Sequence, residues 1–154
     1  IVIRDPTVLE RLPTCRTAIF DKTGTLTYGR PELVQIVTAD GIDRDTILQE
    51  SASLERYSKH PLANAILSAA KAASLSLIPA ISVSEKPGQG LSGNIGGHTL
   101  QVTHRRKLLQ HAPEIASCLP PAAAGLECII IRDNRYAATF QFRDTPRSDG
   151  KSFI

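Results

Sequence analysis

The 154-residue sequence contains no tryptophan and no methionine, and only 5% of its residues are aromatic. Its three cysteines, Cys15, Cys118 and Cys128, are far apart and form no Cys-x-x-Cys pair. This pattern indicates neither a zinc site nor a disulfide framework, so we expect reduced thiols in a cytosolic setting. No apolar run is long enough for a membrane-spanning helix, and no signal peptide opens the chain. The absence of methionine, even at position 1, suggests an excised fragment.

The charge and composition are those of an ordinary globular protein. The net charge is +3, with 42% hydrophobic and 21% charged residues. Because no basic run is interleaved with aromatics, we expect no nucleic-acid binding. A chain of this length can form one domain, or two small ones, with a real core. We expect a soluble, monomeric piece.

One short stretch carries clear chemistry. Residues 18–20 are apolar and predict a buried strand, and Gly24 predicts a turn just after it. Asp21 would then lie at the carboxyl end of a strand, where open α/β sheets bind ligands. Its carboxylate can attack phosphorus, while Lys22 and the hydroxyl of Thr23 can balance charge on the phosphoryl oxygens. A single aspartate at such a position can equally be a turn or cap residue.

The full motif at residues 21–27, Asp-Lys-Thr-Gly-Thr-Leu-Thr, resembles the phosphorylation motif of P-type ATPases, which belong to the haloacid-dehalogenase superfamily. The resemblance implies that Asp21 takes the γ-phosphate of ATP, with Mg²⁺ bound at Asp21 and at loops beyond residue 154. Phosphatases of the superfamily usually carry a second aspartate where Thr23 stands. A hydroxyl activates water poorly, so the acyl phosphate should persist. Without the missing loops, we expect this piece alone to show no turnover.

The middle of the chain predicts an α+β fold, an antiparallel sheet flanked by helices. Asp43 can cap a helix over about 44–57, and a second helix can start at Pro61 with Ser58 as its cap. Gly96-Gly97 has the spacing of a two-residue hairpin turn. The remaining predicted elements are a strand at 33–37, a strand at 81–83, a short basic helix at 105–110, and a strand pair at 128–131 and 136–142.

Together with the resemblance to P-type ATPases, this pattern implies three segments. Residues 1–30 are expected to be an N-terminal stub of the phosphorylation domain, with the haloacid-dehalogenase-like α/β fold. Residues 31–142 are expected to form an inserted nucleotide-binding domain. Residues 143–154 are expected to begin the second phosphorylation-domain segment.

A second group of candidate site residues lies at the end of the first predicted helix. Glu55-x-x-Ser58-x-His60-Pro61 resembles the signature of heavy-metal-transporting, CPx-type P-type ATPases. The resemblance implies that His60 and Glu55 contact adenine. An imidazole face can stack on a purine, and a carboxylate can accept a hydrogen bond from the exocyclic amine. Taken alone, the same residues describe a helix end, a capping serine and a surface histidine.

Two further features bear on the same predicted nucleotide site. Gly88-Gln89-Gly90 resembles the family's Gly-x-Gly loop, in which the backbone approaches ATP, although turns also use glycine freely. The family usually has Gly-Asn where this chain has Thr103-His104. Either these two residues form an altered contact with the nucleotide, or binding is weakened. His104 can also be a solvated residue at a helix start.

Near the end of the chain, Asp144-x-x-Arg147 resembles the hinge at which these pumps re-enter the phosphorylation domain. The same residues are compatible with a turn before a short helix that starts after Pro146. On the family interpretation, both side chains lie near the nucleotide.

The sequence therefore predicts the ATP-binding cytosolic portion of a heavy-metal cation-transporting P-type ATPase. Its expected partners are ATP and the remaining phosphorylation, actuator and transmembrane domains of an integral membrane pump. Two rivals stay open: a haloacid-dehalogenase-type phosphatase, and a non-catalytic nucleotide- or protein-binding module. The transported metal and the direction of transport are not encoded in these residues.

Overall fold

The computed structural model describes residues 5–17, 19, 27–86, 90–122 and 125–146. Five predicted site residues lie outside this described part: Asp21, Lys22, Thr23, Gly88 and Arg147. Their roles stay predictions from sequence. The predicted strand at 18–20 lies largely outside it as well.

A six-stranded antiparallel sheet forms the centre of the molecule, with strand order β1-β6-β5-β4-β3-β2. The predicted α+β architecture is therefore confirmed. The strands are β1 (Thr27–Thr38), β2 (Ala80–Lys86), β3 (Gly90–Ile95), β4 (His98–Thr103), β5 (Leu126–Arg132) and β6 (Arg135–Pro146).

Four α-helices and two 3₁₀ helices accompany the sheet in the described residues. Helix α1 and the 3₁₀ turn after it precede the sheet, and no side chain of α1 is buried. The helices are α1 (Thr7–Arg11), α2 (Arg44–Glu55), α3 (Ala63–Ala72) and α4 (Arg105–His111), with 3₁₀ turns at Leu12–Thr14 and Pro113–Cys118.

The main core lies between one sheet face and helices α2 and α3. Leu54, Ile66, Ile130 and Phe140 have no exposed surface there. Alternate residues of β5, Ile129 and Ile131, point to the opposite face and pack with Leu108 of α4, as the two-residue period of a strand requires. The sheet thus has helices on both faces.

Helix α2 begins as its sequence predicts. Asp43 has extended backbone angles and accepts hydrogen bonds from the Thr46 N–H (2.8 Å) and hydroxyl (2.7 Å), an N-cap that lowers the pKa of its carboxyl. Helix α3 differs from the prediction. It begins at Ala63, after Leu62, without a side-chain cap. Ser58 was therefore wrongly predicted to cap it.

The predicted turn at Gly96-Gly97 is confirmed. Gly96 and Gly97 both have positive φ, 57° and 88°, and join β3 to β4, as expected for a type I′ hairpin. Asp133 and Asn134 also have positive φ, 50° and 60°, and join β5 to β6. The two turns are linked, since Asp133 accepts hydrogen bonds from the Thr99 N–H (3.0 Å) and the His98 ring (2.7 Å).

Strands β1 and β6 run together as one long ribbon. Thr27 is opposite Pro146 and Thr38 is opposite Ala138, with a register shift between Thr27 and Pro31. The Thr27 hydroxyl donates to a carboxylate oxygen of Asp144, tying the end of the phosphorylation motif to the predicted hinge. The ribbon runs through both predicted boundaries, 30/31 and 142/143, and the division into domains stays a prediction.

Candidate functional site

A small cavity lies where α2 ends, β3 begins and β4 ends. It has a volume of about 60 Å³. Five of the residues predicted from sequence to bind nucleotide line it: Glu55, His60, Gly90, Thr103 and His104. The other lining residues are Ser58, Leu62, Glu85, Leu91, Val102 and Cys128. The fold thus gathers four separate sequence segments, 55–62, 85–91, 102–104 and Cys128, around one site.

Glu55 is the buried acid of this site. It is the last residue of α2, only 4% exposed, because it shares the helix face of Ile47, Leu48 and Ser51, as its spacing predicts. Burial raises the pKa of its carboxyl to about 7, the nearby Ser58 hydroxyl opposes the rise, and the charge of Glu85 adds to it. Its Oε2 atom has no hydrogen-bond partner among the described residues. A buried, unpartnered carboxylate oxygen is costly unless a ligand satisfies it.

His60 is held in place by its own loop. Its backbone N–H donates to the Ser58 hydroxyl (3.0 Å), which itself donates to Glu85 (2.8 Å). The Leu62 N–H donates to His60 Nδ1 (3.2 Å). Because Nδ1 accepts, a neutral His60 carries its proton on Nε2. The ring therefore has a fixed orientation, and its Nε2–H donor has no partner among the described residues.

His104 stands against His60. The two ring centroids are 6.1 Å apart with an interplanar angle of 63°, an edge-to-face arrangement. His104 precedes α4 and makes no side-chain cap. Thr103, beside it, is 4% exposed. The Thr103-His104 pair, which departs from the family pattern, thus forms part of the cavity wall.

Packing within the protein itself requires glycine at position 90. Its φ is +78°, and a Cβ atom there would lie 2.2 Å from the Val102 carbonyl oxygen. The close approach of β3 to β4 requires glycine whether or not a ligand binds. Asp144, in contrast, is absent from the cavity lining and lies on the β1–β6 ribbon.

Two lining residues escaped the sequence reasoning. Glu85, on β2, contacts the site only because β2 pairs beside β3, and no motif marks it. Cys128 was expected to be a small apolar residue and is buried, with a pKa raised by burial and by nearby carboxylates. All three cysteines are free, and Cys15 and Cys118 are exposed.

Two negative findings concern the described residues. None of the helices there is both long and apolar enough to cross a membrane. The described part also groups no three His, Cys, Asp or Glu side chains as metal ligands. Mg²⁺ binding at Asp21 therefore stays a prediction from sequence.

Comparison with known proteins defines the class. The family model for haloacid dehalogenase-like hydrolases matches residues 15–147, so the chain belongs to this family. Within it, the chain is similar to copper-transporting P-type ATPases. A probable copper-transporting ATPase, SynA, of Synechococcus elongatus is 35% identical over the whole chain, which covers 19% of that protein. Copper-transporting ATPase 1 of Rhizobium meliloti is 46% identical over 66% of the chain, 12% of its own length. The chain thus spans less than a fifth of these relatives.

The solved structures to which this chain is similar are also heavy-metal P-type ATPases or their domains. The catalytic domain of the CPx-ATPase CopB-B, studied for its conformational changes upon nucleotide binding, superposes on 99% of this chain and 53% of its own with a TM-score of 0.73 and 28% identity. A zinc-transporting PIB-type ATPase in the E2.Pi state superposes on 86% of this chain and 22% of its own (TM-score 0.71, 28% identity). The N-domain of HMA6 shares the fold over 74% of this chain and 99% of its own, with a TM-score of 0.58 and 22% identity. The chain is therefore catalytic-domain sequence of the heavy-metal P-type ATPase type.

Proposed function

We propose that this chain is the ATP-binding cytosolic portion of a heavy-metal cation-transporting pump, and that its cavity takes the adenine of ATP. The observation that carries the proposal is the convergence of Glu55, His60 and His104 on one cavity that contains an unpartnered carboxylate oxygen. Two of them, His60 and Glu55, supply chemistry suited to a purine. The His60 face offers stacking, and Glu55 offers an acceptor for the exocyclic amine.

The rest of the proposal concerns phosphoryl transfer. ATP bound at this cavity would deliver its γ-phosphate to Asp21, with Lys22 and Thr23 contacting the phosphoryl oxygens. The motif at 21–27 and the copper-transporting relatives support this step. Asp144 and Arg147 are proposed as the hinge about which the predicted nucleotide-binding domain, residues 31–142, moves toward Asp21. Mg²⁺ would neutralise phosphate charge at Asp21, with ligands from loops outside this chain.

Neither rival function explains the site as well. For a soluble phosphatase, Thr23 is a poor general base. A protein-binding module would not need an imidazole fixed at both Nδ1 and its backbone, facing a buried acid. The family assignment alone does not decide between them, because haloacid dehalogenase-like hydrolases include enzymes of several kinds.

ATP binding can be tested with the fragment itself. We expect the addition of millimolar ATP to shift the backbone amide signals of His60, Gly90 and His104 in a ¹⁵N NMR titration, while signals at the Gly96-Gly97 turn stay in place. Absence of shifts at these residues would leave only a fold-level likeness to nucleotide-binding domains and favour the protein-binding module.

His60→Gln tests the stacking contact. Loss of ring stacking on the order of 1–2 kcal/mol should weaken ATP binding about tenfold without unfolding the protein. The dissociation constant would come from the same titration, and circular dichroism would report the fold. His111→Gln is the matched control, since His111 is at the far end of α4 outside the cavity and should leave the affinity unchanged. An unaltered affinity for His60→Gln would remove this side chain from the base site.

A further inference from the structure

The cavity is too small for the ligand that its lining suits. Small-molecule sites occupy roughly 300–1,000 Å³, and this one has about 60 Å³. The cavity as it stands can enclose a purine only if some part of its wall moves. The question is which lining group moves.

Most of the wall is fixed. Glu55 belongs to a buried helix face, and Thr103 is a buried residue of the sheet. Gly90 is pressed against the Val102 carbonyl. His60 is held by Ser58 and by Leu62. None of these groups can leave without breaking packing or hydrogen bonds.

His104 is the exception. His104, like His60, is an exposed residue, but its side chain caps nothing and makes no hydrogen bond to any residue in the described part of the chain. Its ring contact within the described residues is with His60, at 6.1 Å between centroids. His104 therefore stands directly beside the imidazole against which a purine would stack.

There is also space for His104 to move into. A groove of about 1,190 Å³ adjoins the cavity, and His104 and Thr103 line both. Arg106 and Lys107 of α4 line the same groove. A rotation of the His104 side chain toward the groove would uncover His60 while the backbone stays in place.

From these observations we propose that His104 is an intramolecular gate: its ring occupies the stacking surface of His60 when no nucleotide is bound and must be displaced for the base to enter. This inference rests on the proposed function, since the entering group is the adenine of ATP. The gate sets the affinity of the site, because every binding event must first break the His60–His104 contact.

Substitution distinguishes a gate from a ligand contact. His104→Ala removes the competing ring, and we expect ATP to bind roughly two- to tenfold more tightly, the range that one aromatic pair accounts for. His104→Phe keeps a ring at the same place and should not tighten binding. If His104 instead held the base, His104→Ala would weaken binding. Unchanged or weaker binding by His104→Ala therefore overturns the gate.

Further variants locate the effect. In a His60→Gln background, His104→Ala should no longer change the affinity, since the contact that it breaks is already absent. His111→Ala, on the same helix but outside the cavity, should match the wild type throughout. A tightening that survives in the His60→Gln background would contradict a gate built on the pair of rings.

A ligand-free measurement separates this inference from the proposed function. In the apo protein, His104→Ala should move the His60 ring Cε1–H NMR signal, because a ring 6.1 Å away is removed; an unmoved signal argues against the contact itself. If the wild type and His104→Ala both show no ATP-induced shifts, the proposed function fails and the gate fails with it. If the wild type binds ATP and His104→Ala binds no more tightly, only the gate fails.

Discussion

Replacing Gly90 by alanine should destabilise the fold more than any other glycine-to-alanine change at a comparable backbone angle. The added Cβ would lie 2.2 Å from the Val102 carbonyl oxygen, a distance that requires β3 and β4 to separate. Positive φ costs an alanine about 1–2 kcal/mol, and the collision adds about 1–3 kcal/mol more. We therefore expect a loss of about 2–5 kcal/mol in the free energy of unfolding, measured by urea denaturation.

Gly41→Ala is the matched control for this prediction. Gly41 has nearly the same φ, +77°, and an added Cβ would meet nothing within 4 Å. It should show only the conformational part of the loss, about 1–2 kcal/mol. Equal losses for the two variants would mean that the approach of β3 to Val102 is not tight in solution.

The result also affects how Gly90 variants are interpreted. A Gly90 variant that fails to bind ATP can fail because its sheet is distorted. Loss of binding at this position therefore does not by itself demonstrate a contact between the glycine loop and the nucleotide.

The second large effect is the pH dependence that Glu55 gives to stability. Its pKa is raised from 4.5 to about 7 in the folded protein, whereas the unfolded chain should titrate near the lower value. Between pH 4.5 and about 7, the folded state therefore keeps the proton on Glu55 that the unfolded state has released. The carboxyl of Glu55 is tolerated best below pH 4.5, and the cost of burying it grows as the pH rises to about 7, then stays constant.

Glu55→Gln should abolish this dependence. At pH 8 we expect the variant to be more stable than the wild type by on the order of 2–3 kcal/mol, whereas near pH 4.5 the two should be similar. The measurement is urea unfolding of both proteins from pH 4.5 to 8. At each pH, the free energy of unfolding of the variant is compared with that of the wild type. Glu32→Gln, which changes an exposed carboxyl on β1, is the control. Its free energy of unfolding should differ from that of the wild type by the same amount at every pH. A Glu55→Gln difference that does not grow with pH would contradict the burial argument.

Glu55 thus illustrates a stability cost kept at the proposed nucleotide site. The same burial that raises its pKa leaves Oε2 without a partner. If ATP supplies the missing donor, nucleotide should stabilise the wild type more than Glu55→Gln.

Much of this molecule follows from local sequence patterns. The Asp43 cap, the Gly96-Gly97 turn and the strand pair around Asp133 were predictable because each depends on neighbouring residues. Glu55 was predictable as a cavity residue from its helical spacing and its motif. Ser58 does not cap α3, because the helix begins only at Ala63 and the Ser58 hydroxyl bonds the His60 N–H and Glu85 instead.

The features that sequence could not give are contacts between separate strands and loops. The requirement for glycine at Gly90 comes from Val102, which β-pairing brings across from another strand. The His60–His104 contact joins residues 44 positions apart, and whether His104 touched the nucleotide, weakened its binding or was simply solvated could not be decided from sequence. Their relation depends on where β4 ends relative to α2, which is a property of the whole sheet.

The β1–β6 ribbon has a practical consequence. Since Thr27 and Pro146 are register partners, and partnered Cα atoms in antiparallel strands are about 4.5–5.5 Å apart, the polypeptide enters and leaves the lobe at almost the same point. A segment with adjacent ends can be grafted into a surface loop of an unrelated host without stretching either junction. We therefore expect residues 27–146 to fold when inserted as one segment into a host protein. The hydrogen bond between Thr27 and Asp144 would hold the two ends of the segment together.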